Sequence, residues 1–126
     1  MEKNNTYKPK ILYVDDEPIN LQLFKFNFQK DFELLLARSG KEALDILSEE
    51  DVPVIITDLK MPGMNGIELI NEIKKGHPEK TCMLLSAYDI SEAIKMGLDE
   101  TTIFNYIRKP WRRDDVVKVL DKAFEK

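Results

Sequence analysis

The chain has 126 residues, of which 43% are hydrophobic and 33% charged, and its formal net charge is −4. That suits one globular domain with no room for a second, and the acidic excess argues against direct binding to nucleic-acid backbones. No apolar run approaches the roughly 20 residues of a membrane span, and the polar start Met1–Lys8 lacks a signal-peptide core, so a cytoplasmic protein is expected. Cys82 is the single cysteine, which excludes an internal disulfide and a cysteine-based metal cluster.

Residues 1–9 are polar, end in Pro9 and read as a flexible lead-in to a domain over 10–126. Ile11–Val14 is the first of five short apolar runs. The others are Phe32–Ala37, Val54–Thr57, Cys82–Leu85 and Ile103–Ile107. Short, largely unbroken apolar runs are the pattern of strands buried on both faces of a parallel sheet. The stretch Ile19–Phe28 almost alternates apolar and polar, which by periodicity favours a strand. Pro18 suits a first helical turn, and Asp16 and Glu17 suit a helix N-terminus, so a helix is predicted there. A parallel pair of strands also needs a crossover at this point.

Further along, Ser39 and Glu42 have the spacing of a capping box. Asn65 with Glu68 and Asp89 with Glu92 follow the same plan. Gly76 and Gly97 fall at expected helix ends, with Pro78 beyond the first. Ala43, Leu44 and Leu47 form one apolar stripe, and Ile67, Ile70 and Ile73 another. A last helix shows Val116, Val117, Leu120 and Phe124 on one face. Strand and helix thus alternate five times. Such alternation gives a parallel sheet covered by helices on both sides, with ligands bound at the carboxyl ends of the strands.

Those ends carry a consistent set of groups. The first strand runs into Asp15 and Asp16, the third into Asp58, the fourth into Ser86, and the fifth into Arg108, Lys109 and Pro110. Clustered carboxylates repel one another unless a cation intervenes. An all-oxygen set suits Mg²⁺, which binds through a few carboxylates, waters and phosphate oxygens. No nearby His or Cys suggests zinc. The residues therefore point to a Mg²⁺ site that handles a phosphoryl group, with Lys109 as a second positive centre.

Taken in order, Ile11-Leu12-Tyr13-Val14-Asp15-Asp16-Glu17-Pro18, Asp58-Leu59-Lys60-Met61-Pro62-Gly63-Met64-Asn65-Gly66, Leu85-Ser86-Ala87 and Tyr106-Ile107-Arg108-Lys109-Pro110 resemble the response regulator receiver family of two-component signalling. The resemblance runs from Lys10 to about Phe124. It implies a flavodoxin-like, doubly wound five-stranded parallel sheet of order 2-1-3-4-5 with five helices. It implies Asp58 as phosphoacceptor, taking a phosphoryl group from a sensor histidine kinase or a histidine phosphotransfer protein. Asp15, Asp16, Asp58 and the backbone carbonyl of Lys60 would hold Mg²⁺. Lys109 and Ser86 would contact the phosphoryl group, and Tyr106 would be the aromatic switch. Lys109–Pro110 would be a cis peptide.

The resemblance further implies a protein that catalyses only its own phosphorylation and dephosphorylation. The surface of the fourth helix, fifth strand and fifth helix would regulate a downstream protein target, as a monomer or a phosphorylation-dependent dimer. Two other settings fit the same residues: a phosphorelay intermediate, or the receiver portion of a hybrid kinase or multidomain regulator. Lys60 and Tyr88, two residues past Asp58 and Ser86, should border the site, and a bulky Tyr88 would restrict in-line water. Trp111 is expected to shield or anchor the start of the last helix.

Singly, these residues have plainer readings. Asp15 and Asp16 could be helix caps, Asp58 and Ser86 turn residues, Lys109 a solvated lysine and Tyr106 half-buried strand material. Arg112 and Arg113 read as a solvated helix start offsetting Asp114 and Asp115, His77 as an exposed loop residue, and Cys82 as a small core hydrophobe. Three rival functions are weaker. An aspartyl-nucleophile Mg²⁺ phosphatase of the haloacid-dehalogenase type has a second Asp where Lys60 stands. A flavin or nucleotide binder needs a phosphate-cradling loop where the acidic Asp15-Asp16-Glu17 stands. A receiver degenerate in its chemistry would lack part of the site, and no expected group is missing.

Overall fold

The computed structural model describes residues 8–125; the first seven residues of the expected lead-in lie outside them. Five strands are present: β1 (Lys10–Val14), β2 (Glu33–Ala37), β3 (Val54–Asp58), β4 (Thr81–Ser86) and β5 (Asn105–Arg108). They form one sheet in the order β2-β1-β3-β4-β5, and every neighbouring pair is parallel. The order reverses between β1 and β3, so a crevice opens at their carboxyl ends. The helices are α1 (Pro18–Phe28), α2 (Gly40–Glu49), α3 (Gly66–Gly76), α4 (Ile90–Lys95) and α5 (Arg113–Phe124).

Period-2 alternation divides the strand residues between two cores. Leu12, Val14, Ile55, Cys82 and Leu84 face one side, where Ala43 and Leu47 of α2, Ile67, Ile70 and Ile73 of α3 and Ala93 of α4 cover them. Ile11, Tyr13, Val54, Ile56, Met83 and Leu85 face the other, under Leu21, Phe24 and Phe28 of α1 and Val116, Leu120 and Ala123 of α5. Both faces are therefore dry, which explains the nearly continuous apolar runs in β1, β3 and β4. Burial pushes the Cys82 thiol up to about 11, consistent with a packing role for that residue.

Several local expectations change. Asn65 and Glu68 make the full reciprocal capping box of α3. At α2 only half of one forms: Ser39 Oγ accepts from Glu42 N, but the Glu42 carboxylate accepts from Arg38 N instead of Ser39 N. Asp89 is the N-cap of α4 as expected, but its carboxylate accepts from Ser91 N and Ser91 Oγ and not from Glu92 N. The fifth strand begins at Asn105, not Ile103, because a 3-10 turn over Glu100–Thr102 takes up the preceding chain. Arg113 does not merely offset its acidic neighbours. Its guanidinium crosses to α1, donating to Asn27 O at 2.9 Å and pairing with Asp31.

The α1 segment is a helix, and its near-alternation has a physical origin. One face packs Leu21, Phe24 and Phe28 into the core. The opposite face carries Ile19 and Phe26, each 78% exposed, together with half-exposed Leu23. Two apolar stripes on one helix fill most positions of a short window, so the 3.6-residue signal is lost. Phe24 stacks on Tyr13 with ring centroids 4.1 Å apart. Trp111 packs its edge against Phe24 at 6.0 Å and lies 5.5 Å from Phe28, which anchors the entry to α5.

Candidate functional site

The carboxyl ends of β1, β3, β4 and β5 bring Asp15, Asp58, Ser86 and Lys109 to one edge of the sheet. Asp15, Asp16 and Asp58 each offer a carboxylate oxygen, and these oxygens all lie within 4.8 Å of one another. Lys109 Nζ donates to Asp58 Oδ1 at 3.1 Å and stands 3.7 Å from Asp15 Oδ2. Its side chain is 24% exposed and that of Asp58 14%, so the pair is only partly screened by water. The peptide between Lys109 and Pro110 is cis, and Lys109 N donates to Ser86 O at 2.7 Å, tying the β5 end to the β4 end.

Asp15 is fully buried. Its carboxylate is satisfied by Tyr13 Oη donating to Oδ2 at 2.8 Å and by Glu17 N donating to Oδ1 at 3.0 Å. Asp16 is partly exposed. Burial raises the Asp58 carboxyl above its ordinary pKa; the hydrogen bond and charge of Lys109 oppose that rise, and the charge of Asp15 adds to it. Like charges crowd a site that holds one ammonium group, so the donor set is electron-rich and made only of oxygen. A hard divalent cation with several retained waters fits such a set.

Ser86 is buried, and its Oγ accepts from Tyr88 N at 3.0 Å. Tyr106 is half-buried, and its hydroxyl donates outward to Tyr88 O at 2.7 Å. Lys60 holds its ammonium 3.9 Å from the Tyr88 ring centroid. This cation–π pair brings together the two residues expected to border the site. A groove of about 550 Å³ leads from Lys109 and Ala87 along Asn20 and Leu23 of α1 to Pro110 and Trp111.

The sequence reading missed Tyr13 as a partner of Asp15. A signal was present: residues two apart on a strand share a face, so an aromatic hydroxyl at 13 lies beside a carboxylate at 15. It also missed the second apolar face of α1.

The family model of the response regulator receiver domain matches residues 11–121. The hydrogenase transcriptional regulatory protein HoxA of Cupriavidus necator is 34% identical over 115 residues, which is 91% of this chain and 24% of HoxA. The chain thus spans about a quarter of the length of the curated relatives it matches. A response regulator receiver domain protein from Clostridium thermocellum superposes with a TM-score of 0.82 at 36% identity, covering 91% of this chain and 93% of that one. The response regulator protein TrrA of Thermotoga maritima, solved in complex with Mg²⁺-BeF, superposes with a TM-score of 0.82 at 30% identity, covering 92% of this chain and 99% of that one.

The Tyr13–Asp15 bond yields a direct expectation. Tyr13→Phe removes one of the two donors to a buried carboxylate and should lower stability by about 1–3 kcal/mol. Urea unfolding without divalent ions measures it, and an unchanged midpoint would show that the hydroxyl is not supporting Asp15.

Proposed function

The chain belongs to the response regulator receiver domain family, and from that premise we propose that Asp58 accepts a phosphoryl group from a phosphohistidine of a sensor histidine kinase or histidine phosphotransfer protein. The observation that carries this reading is the contact between Lys109 and Asp58 beside two further carboxylates. In the proposed reaction, an oxygen of Asp58 forms a bond to phosphorus while the bond from phosphorus to the histidine nitrogen breaks. The nitrogen keeps that electron pair, and the product is an aspartyl phosphate.

Asp15, Asp16, Asp58 and the Lys60 carbonyl would hold Mg²⁺, which would supply countercharge to the phosphoryl oxygens. Lys109 already reaches Asp58 Oδ1, so its ammonium can follow an oxygen of the transferred group with little reorganisation. Ser86 would donate its hydroxyl to another oxygen. Its present bond from Tyr88 N couples that movement to the segment where the Tyr106 hydroxyl is held. Release of Tyr106 from Tyr88 O would let the ring turn inward and would alter the α4–β5–α5 surface, a shift between two populations. A downstream protein would read that surface. The chemistry is confined to the protein's own phosphorylation and dephosphorylation.

The exposed face of α1 would receive the donor protein. Ile19, Leu23 and Phe26 lie at helical spacing on one side, and Leu23 borders the groove that leads to Lys109. The helix holds no carboxylate, and Lys25 is its single charge.

Three experiments test these assignments. Incubation with Mg²⁺ and acetyl phosphate should add the mass of one phosphoryl group to the intact protein, and Asp58→Asn should not gain it. A gain retained in Asp58→Asn places the acceptor elsewhere. Leu23→Glu should slow transfer from a histidine phosphotransfer protein that serves the wild type by about tenfold, roughly 1.4 kcal/mol, while the acetyl phosphate rate stays the same. Equal slowing with both donors would remove α1 as the docking face. Tyr88→Ala should shorten the lifetime of the phosphorylated form, because the ring and Lys60 cover the approach of water. A lifetime equal to or longer than wild type rejects that shielding role.

A further inference from the structure

Gly66 opens α3, and its φ is not in the left-handed region; what it supplies is space. A β-carbon on Gly66 would overlap the main-chain carbonyl oxygen of Asp58, and it would lie 2.8 Å from Leu84 Cδ2 and 3.2 Å from the Asp58 carbonyl carbon. Neither side of this contact is free to retreat. Gly66 N donates to Leu59 O at 2.8 Å, and the Asn65–Glu68 capping box fixes the helix start immediately before it. Asp58 lies opposite Leu85 in the β3–β4 ladder, and its carbonyl accepts from Thr57 Oγ1 at 3.0 Å.

We infer that Gly66 is a positioning residue for Asp58: its missing side chain lets α3 seat directly on the Asp58 main chain and so sets where that carboxylate stands relative to Lys109. The inference rests on Asp58 being the phosphoacceptor. Ordinary carbon–oxygen contacts begin at about 3.3 Å, so an added methyl must move the Asp58 main chain or the start of α3 by roughly 1 Å. Displacement of reacting groups on that scale can cost about 100-fold in rate. Gly40 provides a contrast. A β-carbon there would meet Met64 Sδ at 2.7 Å, an atom near the end of a flexible side chain, and Met64 Cβ and Cγ only at 3.1 Å, with no main-chain atom among its three nearest neighbours.

The test is the rate of phosphorylation by acetyl phosphate at saturating Mg²⁺, read by intact mass and normalised to the folded fraction from urea unfolding. Gly66→Ala should react about 100-fold more slowly than wild type. Gly40→Ala should react at the wild-type rate. Gly66→Ala/Leu84→Val removes the side-chain clash and keeps the carbonyl clash, so it should regain stability without regaining rate. The inference is overturned if Gly66→Ala reacts like wild type, if the double variant recovers rate together with stability, or if neither variant folds. A wild-type protein that gains no phosphoryl group overturns the acceptor assignment instead, and this inference with it.

Discussion

The site depends on one ammonium group placed among carboxylates. Parallel strands deliver their carboxyl ends to a common edge, so the topology that makes the sheet also concentrates Asp15 and Asp58 there, with Asp16 beside them. Coulomb repulsion between such groups grows as water is excluded, and Asp15 is fully buried. Lys109, arriving from the last strand, bridges the two buried carboxylates. The Tyr13 hydroxyl and the Glu17 amide each donate to one oxygen of Asp15, which leaves each oxygen a lone pair for a cation. A buried charge with several partners is tolerated, whereas a lone one is not.

Much of this arrangement was readable in the residues because the chemistry sits at strand ends. Apolar runs locate the strands, and the first polar residues after each run are the ones that meet at the edge. Asp58, Ser86 and Lys109 therefore announce themselves by position as well as by type. The strand order and the cis peptide came with the family resemblance; hydrophobic pattern carries no information on either. Where reading by pattern weakened, the cause was physical. The α1 segment is apolar on two faces, so its periodicity resembles a strand, and Pro18 with the need for a crossover decided the matter.

Contacts that depend on side-chain reach were harder to see. Arg113 follows its hydrogen bond to Asn27 O on α1 and its ion pair with Asp31 in the turn just beyond that helix, and nothing in the local sequence distinguishes that from pairing with Asp114 or Asp115. Glu42 selects Arg38 N over Ser39 N, two donors one residue apart. The late start of β5 follows from Asp99, which caps the 3-10 turn through Thr101; the chain first bonds to β4 at Phe104, whose N donates to Cys82 O at 2.8 Å. Each is a choice among near-equal hydrogen-bonding partners, settled by tertiary geometry.

The protein's single tryptophan stands two residues beyond Lys109, wedged against Phe24 and Phe28. Phe24 in turn stacks on Tyr13, whose hydroxyl holds Asp15. An indole so placed is an intrinsic optical gauge. Its emission is free of any second indole, and the ring touches the same aromatic column that supports the acid cluster. Changes at the sheet edge can thus be followed by light alone, without a label attached to the chain.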